Sequence, residues 1–281
     1  MHMISAKTVS VGCLLFATLM LFVLPGCGSS DTTKDMAAEA RFAHAKELFD
    51  DEDYLEAINE FNVITLQNQG SSVASEAQYY LAECRYRRSE YLLAAFEFQV
   101  LIRSYSASPR QAEAQYKIGL SYYMLSPKST LDQQYSKKSI EELQTFVETY
   151  PADPHVSDAN VKIKELTERL AKKEYETARL YVTMDYYRAA LMSFDEVIEK
   201  YHDTEFAPQA FEGKVNLLMA RNHYREAGLE INRFLVRYPN SVLKTTMESL
   251  KETASREVEL GHNVDSPPPK GTPAATAIPR M

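Results

Sequence analysis

No tryptophan occurs among the 281 residues, and between Gly28 and Gly261 only Gly70, Gly119, Gly213 and Gly228 supply glycine. A sheet-rich or doubly wound chain needs glycine in its tight turns, so this scarcity points to a helical composition. Positive charge is in deficit: 31 Lys and Arg face 39 Asp and Glu, a net charge of −8. That balance argues against nucleic acid as a partner, because neutralising phosphates needs a basic surface. It also argues against adsorption to anionic lipid. Chemistry-bearing motifs are missing as well. The histidines (His2, His44, His155, His202, His223, His262) form no i, i+4 pair and no HExxH, and there is no zinc-type cysteine pair, P-loop or GxGxxG. Runs such as Glu141-Glu142 and Asp50-Asp51-Glu52 read as solvated helix faces. Neither a cofactor, a metal nor an enzymatic activity is expected.

Self-similarity is what the chain does have. At an offset of 37 residues Phe42, Tyr79 and Tyr116 coincide, as do Phe49, Tyr86 and Tyr123, and Ala45, Ala82 and Gly119. A second register places an aromatic, an alanine and a large apolar residue at i, i+3 and i+7. It holds for Tyr54-Ala57-Phe61, Tyr91-Ala94-Phe98, Tyr187-Ala190-Phe194 and Tyr224-Ala227-Ile231. This period is close to that of a tetratricopeptide unit and predicts stacked helix pairs. The fold expected is therefore all-α, an α-solenoid of about five helix pairs with a C-terminal capping helix. Each alanine lets paired helices approach closely, and the flanking large residues fill the space between successive pairs. Arrays of this kind normally bind other polypeptides.

Lys7 precedes an uncharged run at 9–24, which ends in Pro25, Gly26 and Cys27. Sixteen residues fall short of the roughly 20 needed to span a bilayer, so residues 1–26 read as an export signal. The tetrad Leu24-Pro25-Gly26-Cys27 resembles the lipobox of bacterial lipoproteins, in which the cysteine thiol is acylated. Residues 27–36 then form a lipidated Cys27 and a polar tether, with Gly28 suiting an outer-membrane destination by the same resemblance. Each buried methylene of an acyl chain contributes about 0.8 kcal/mol, which makes such an anchor effectively permanent. Loss of Cys13 with the signal leaves Cys84 as a lone cysteine, read as a packed small hydrophobe.

The expected helices run over 37–50 and from 53, 73–88 and 90–104, then from 108 to about 124. Asp53-Tyr54-Leu55-Glu56 and Ser108-Pro109-Arg110-Gln111 have the form of capping boxes. A polar insertion at 125–135 interrupts the third pair, and its second helix resumes near Ser136. N-terminal repeats thus occupy 37–124 and C-terminal repeats, with the cap, 136–260. Between Pro154 and Pro208 there is neither glycine nor proline, so one long helix is expected over 156–183, with Asp185 capping the next. A fifth pair over 208–221 and 224–237 and a helix over 242–260 complete the stack. The proline-rich stretch 261–281 is expected to be disordered.

Phe42, Phe49, Tyr79, Tyr86, Tyr116 and Tyr123 put two aromatics, seven residues apart, on the first helix of each of three pairs. One reading makes them a ladder for an extended aromatic-rich peptide, with Arg87 holding its carboxylate. The other makes them packing between helices and repeats, the more usual meaning of regular aromatic spacing.

The acylated cysteine, tether, five pairs and interrupted third repeat together resemble the BamD family of outer-membrane assembly lipoproteins. The resemblance is carried by residues 170–175 (Leu-Ala-Lys-Lys-Glu-Tyr) through Ala178 and Tyr181, then Tyr187 and Ala190. The repeat ends at 145–151 (Thr-Phe-Val-Glu-Thr-Tyr-Pro) and 234–241 (Phe-Leu-Val-Arg-Tyr-Pro-Asn-Ser) carry it too. It implies a non-enzymatic subunit at the periplasmic face of the outer membrane, working in β-barrel assembly. The C-terminal repeats would dock a BamA-like barrel subunit beside other assembly lipoproteins, and the N-terminal repeats would bind unfolded outer-membrane proteins. A periplasmic adaptor for cell-wall synthesis or division is the alternative. A sugar-binding surface lipoprotein does not suit a chain without tryptophan.

Overall fold

The computed structural model describes residues 37–264, all helix and turn with no strand among them. Cys27, the leader, the tether and the proline-rich residues 265–281 lie outside this range. Five helix pairs follow one another: α1 (Ala38–Asp50) with α2 (Tyr54–Gln67), α3 (Ala74–Arg87) with α4 (Tyr91–Ser104), and α5 (Gln111–Leu125) with α6 (Gln134–Thr149). The long α7 (Val156–Thr183) pairs with α8 (Tyr187–Lys200), α9 (Phe206–Ala220) with α10 (Tyr224–Arg237), and α11 (Lys244–Glu259) covers the last pair. Helices pack mainly on their chain neighbours, with α1 also touching α3 and α7 touching α9. No described helix is long and apolar enough to cross a membrane.

The repeat's small residues sit where helices approach most closely. Ala57, Ala94, Ala190 and Ala227 are fully buried, and Phe61, Phe98, Phe194 and Ile231 seal the space beside them. In the third pair Ser136, Ser139 and Leu143 occupy these positions, and the Ser139 hydroxyl donates to the Gly119 carbonyl at 2.9 Å. A polar position recurs at 37-residue spacing too: Arg41 bonds Glu60 at 2.6 Å, Gln78 bonds Glu97 at 2.8 Å and Gln115 bonds Glu142 at 2.8 Å. Each ties a first helix to its second through a mostly buried side chain. Burial, and next the Glu83 carboxylate, push the thiol of the lone Cys84 up to about 12, so it packs as an inert apolar group.

Three expectations about helix starts are corrected. Asp53 makes no side-chain cap on α2. The turn is closed by backbone alone: Glu52 has φ +64°, Asp53 N–H donates to the Leu48 carbonyl and Glu52 N–H to that of Phe49. This Schellman closure recurs with left-handed Ser89, Asp185 and Asn222, and it satisfies the carbonyls ending each first helix. Asp185 is thus the left-handed residue, not the cap of α8; its carboxylate bonds Arg221. Ser108 acts one turn upstream of α5, its hydroxyl accepting from Arg110 N–H at 3.2 Å while the Gln111 amide donates to the Tyr105 carbonyl. Asp153 and Ser241 repeat that hydroxyl or carboxylate turn before α7 and α11.

The insertion is strapped to the middle of α7. Arg169 donates to the carbonyls of Ser126 and Pro127, and Lys173 to that of Leu131 at 2.5 Å. Between the core cluster around Tyr116, Leu143 and Phe146 and the one around Phe194, Phe211 and Phe234, α7 itself provides the buried Leu166, Leu170 and Ala171. The described residues continue a little past α11, while the rest of the proline-rich stretch lies outside them. Gly261, at φ +76°, ends α11, and Val264 N–H donates to the Asn222 carbonyl at 2.8 Å.

Candidate functional site

The first helix of each of the first three pairs presents the predicted ladder, and the structure divides it. Tyr79 and Tyr116 are almost wholly buried. Tyr79 packs on Phe98 and donates its hydroxyl to Glu113 at 2.5 Å. Tyr116 packs on Phe146, stacks on His155 and donates to Asp158. Phe42 and Phe49 are half-buried around Tyr80, with ring centroids 6.0 and 5.1 Å from it. Tyr86 and Tyr123 are also half-buried. Tyr86 meets Tyr91 at 5.3 Å, and the Tyr123 hydroxyl donates to Glu165 at 2.7 Å.

Apart from Lys46, on the same helix as Phe49, the cations over these rings come from the next repeat, and residue types alone did not single them out. Arg110 lies 4.6 Å above the Tyr79 ring, bonding Glu76 at 3.2 Å and Glu113 at 2.9 Å. Lys117 sits 4.7 Å above Tyr86 and bonds the buried Glu83 carboxylate at 2.8 Å. Arg87 bonds the other oxygen of Glu83 through Nε at 2.9 Å, with its side chain 54% exposed. Lys46 covers both Phe49 and Tyr80, and Lys162 covers Tyr123. A desolvated cation over an aromatic face contributes roughly 1–2 kcal/mol. The signal was present in the sequence, since Glu76 and Arg110, like Glu83 and Lys117, are 34 residues apart. Tyr86, Arg87 and Lys117 thereby form one half-open cationic and aromatic face on α3 and α5. Glu83 beneath them fixes the two cations.

Burial, reinforced by the bond to Glu113, holds the Tyr79 phenol far above its ordinary value. Burial and then Asp158 do the same to Tyr116. In the unfolded chain both phenols ionise near pH 10. Below that pH their contribution is fully present; as pH rises through it the unfolded chain loses protons first, and stability falls. Melting temperatures taken across roughly pH 9–11 should therefore decline steeply, and Tyr79→Phe should decline less steeply despite a lower value at neutral pH.

Open grooves lie elsewhere. One of about 500 Å³ runs between α2 and α4 past Leu66 and Phe96, and another of about 570 Å³ separates residues 126–129 from Glu168 and Phe206. No group of three or more His, Cys, Asp or Glu among the described residues could hold a metal ion.

Known proteins resemble this chain in sequence and in part in structure. A family model described as YfiO, outer membrane lipoprotein, matches residues 34–222, well over half of the chain. The outer membrane protein assembly factor BamD of Rickettsia prowazekii is 28% identical over 231 residues, covering 81% of this chain and 92% of that protein. Its namesake from Caulobacter vibrioides is 32% identical over 79 residues, covering 28% of this chain and 26% of the relative. Among solved structures, the TPR2AB domain of yeast Sti1 in its pHSP90 complex aligns with a TM-score of 0.41 at 19% identity, over 79% of this chain and 84% of that one. With its helix pairs accounted for and its sequence matched from just ahead of α1 to just past the end of α9, the chain belongs to the YfiO family of outer membrane lipoproteins.

Proposed function

We propose that the protein is a non-catalytic scaffold, held at the periplasmic face of the outer membrane by an acylated Cys27, that serves the assembly of outer-membrane β-barrel proteins. Its C-terminal repeats dock a BamA-like barrel subunit, and its N-terminal repeats receive unfolded barrel segments. The family membership and the assembly factors named among its relatives support the first part. The observation that carries the second is the face made by Tyr86, Arg87 and Lys117. Glu83 takes Nε of Arg87, whose half-exposed guanidinium also meets the Tyr54 hydroxyl, and Glu83 holds Lys117 over the Tyr86 ring. A peptide ending in an aromatic residue and a free carboxylate matches that pairing of ring and cation.

A charge-assisted hydrogen bond contributes about 1.5–3 kcal/mol, on the order of 10–100-fold in affinity. Fluorescence anisotropy with labelled C-terminal barrel peptides should therefore show Arg87→Glu binding at least tenfold more weakly than wild type. Equal affinity would reject this face as the receptor. The anchor is checked separately: wild type should incorporate labelled palmitate in cells and fractionate with outer membranes, whereas Cys27→Ser should do neither.

A further inference from the structure

Exposed apolar side chains are unevenly spread over the second helices of the pairs. Leu55 and Leu66 on α2, with Leu92, Leu93 and Phe96 on α4, are all between 46% and 73% exposed. Later second helices carry only Met192, Leu229 and Val236, with Arg233 standing between the last two, and α6 carries none. On α2 Leu55, Asn59, Asn62 and Leu66 recur at i, i+4, i+7 and i+11, and on α4 Leu93, Phe96 and Val100 recur at i, i+3 and i+7. Such spacing sets each group along one helix face. Neither stripe holds a charge. Between them runs the groove of about 500 Å³, lined by Leu66, Phe96 and Val100 with Asn62, Gln69 and Tyr105. Its one charged lining residue, Glu97, is engaged by the buried Gln78, whose amide donates to the carboxylate at 2.8 Å.

The described chain begins beside this groove. Glu39, in the first turn of α1, accepts from the Ser72 hydroxyl at 3.0 Å, and Ser72 follows the groove residue Gln69 by three positions. Residues 28–37 separate Cys27 from α1. Whatever their path, ten residues span at most about 35 Å, so an acyl chain on Cys27 keeps the start of α1 within that distance of the membrane. A short tether raises the effective concentration of its two ends to the order of millimolar, and a contact too weak to recruit the free protein then suffices. The net charge of −8 gives no attraction to anionic headgroups, which leaves apolar insertion as the force.

We propose that the face formed by Leu55, Leu66, Leu92, Leu93 and Phe96 rests on the lipid bilayer, its apolar side chains entering the boundary between headgroups and acyl chains. The inference rests on the reading of Cys27 as the acylated residue. The anchor brings the protein to the membrane, and this face fixes which side of the repeats lies against it.

A chain without tryptophan supplies its own reporter. Mature protein carrying Phe96→Trp is coupled through Cys27 to a maleimide headgroup lipid in phosphatidylcholine vesicles. Cys84 does not compete, being fully buried with its thiol pushed up to about 12. Emission should shift to the blue on coupling, and lipids brominated on their acyl chains should quench it several-fold more than they quench Val236→Trp, whose site on α10 is 83% exposed. Adding Leu66→Glu and Leu93→Glu to Phe96→Trp should abolish the shift, with circular dichroism confirming the fold. Equal quenching at positions 96 and 236, or quenching that survives the two glutamate substitutions, would overturn the proposal. So would a blue shift that grows with protein concentration before any vesicle is added, which would give the face to a second copy. The coupling is chemical, so a failed vesicle result counts against this face alone, while a failed palmitate label counts against the anchor.

Discussion

Valine at position 119 should destabilise the protein by about 3 kcal/mol, at the upper end of what overpacking a core costs. A Cβ there would stand 2.5 Å from Leu143 Cδ2, 2.6 Å from its Cγ and 3.3 Å from its backbone nitrogen. Leu143 is fully buried and cannot swing aside, and the Ser139–Gly119 hydrogen bond holds α6 against α5 at this point. Even alanine must force the helices apart, and its gain of about 1 kcal/mol in helix propensity offsets only part of that. Gly228, on α10, is the contrasting position: a Cβ there meets nothing within 4 Å. Gly228→Ala should stabilise by about 0.5–1 kcal/mol. Urea midpoints of the three variants decide the matter, and stabilisation by Gly119→Ala equal to that by Gly228→Ala would refute the close approach of α5 and α6.

The second large effect is expected at Glu83. Its carboxylate is 5% exposed and holds Lys117, itself only 18% exposed, from the next repeat. Removing one partner of a buried pair leaves the other charge uncompensated, at a cost of about 3–5 kcal/mol. Glu83→Ala should fall in that range, and the third repeat should lose its grip on the second. Replacing both partners, as Glu83→Leu with Lys117→Met, should recover most of the loss, because apolar side chains of similar volume need no counter-charge. Arg87→Ala should cost under about 1 kcal/mol, since that half-exposed pair is screened by solvent. Urea unfolding of each variant measures these costs, and a double-mutant cycle over positions 83 and 117 isolates the pair. Full additivity of the Glu83 and Lys117 changes would show that the two groups do not interact. The contrast between positions 83 and 87 separates holding the repeats together from meeting a peptide.

Much of the helical framework was legible in residue spacing. The 156–183 helix follows from a stretch without glycine or proline, and the alanine positions follow from the 37-residue register. The turns were less legible. A reader expects glycine where φ is positive, and here Glu52, Ser89, Asp185 and Asn222 take that role, so their side chains were misassigned as caps or passed over. Ser108 was identified as a capping residue, but its hydroxyl acts one turn before the helix. Of the candidate site, the aromatic positions were visible as a pattern. Their cationic partners were not, because Arg110 and Lys117 reach the rings across a repeat boundary.

The order of helix pairs, the length of α7 and the small residues at each helix crossing were determined by the sequence alone, because helix formation and close approach depend on residues a few positions apart. Which rings are sealed and which remain open was decided only by the tertiary structure. Tyr79 and Tyr86 occupy the same helix two turns apart, yet one is buried and donates to Glu113 while the other stays half exposed under Lys117. That difference is made by the neighbouring repeat, whose side chains arrive from more than thirty residues away.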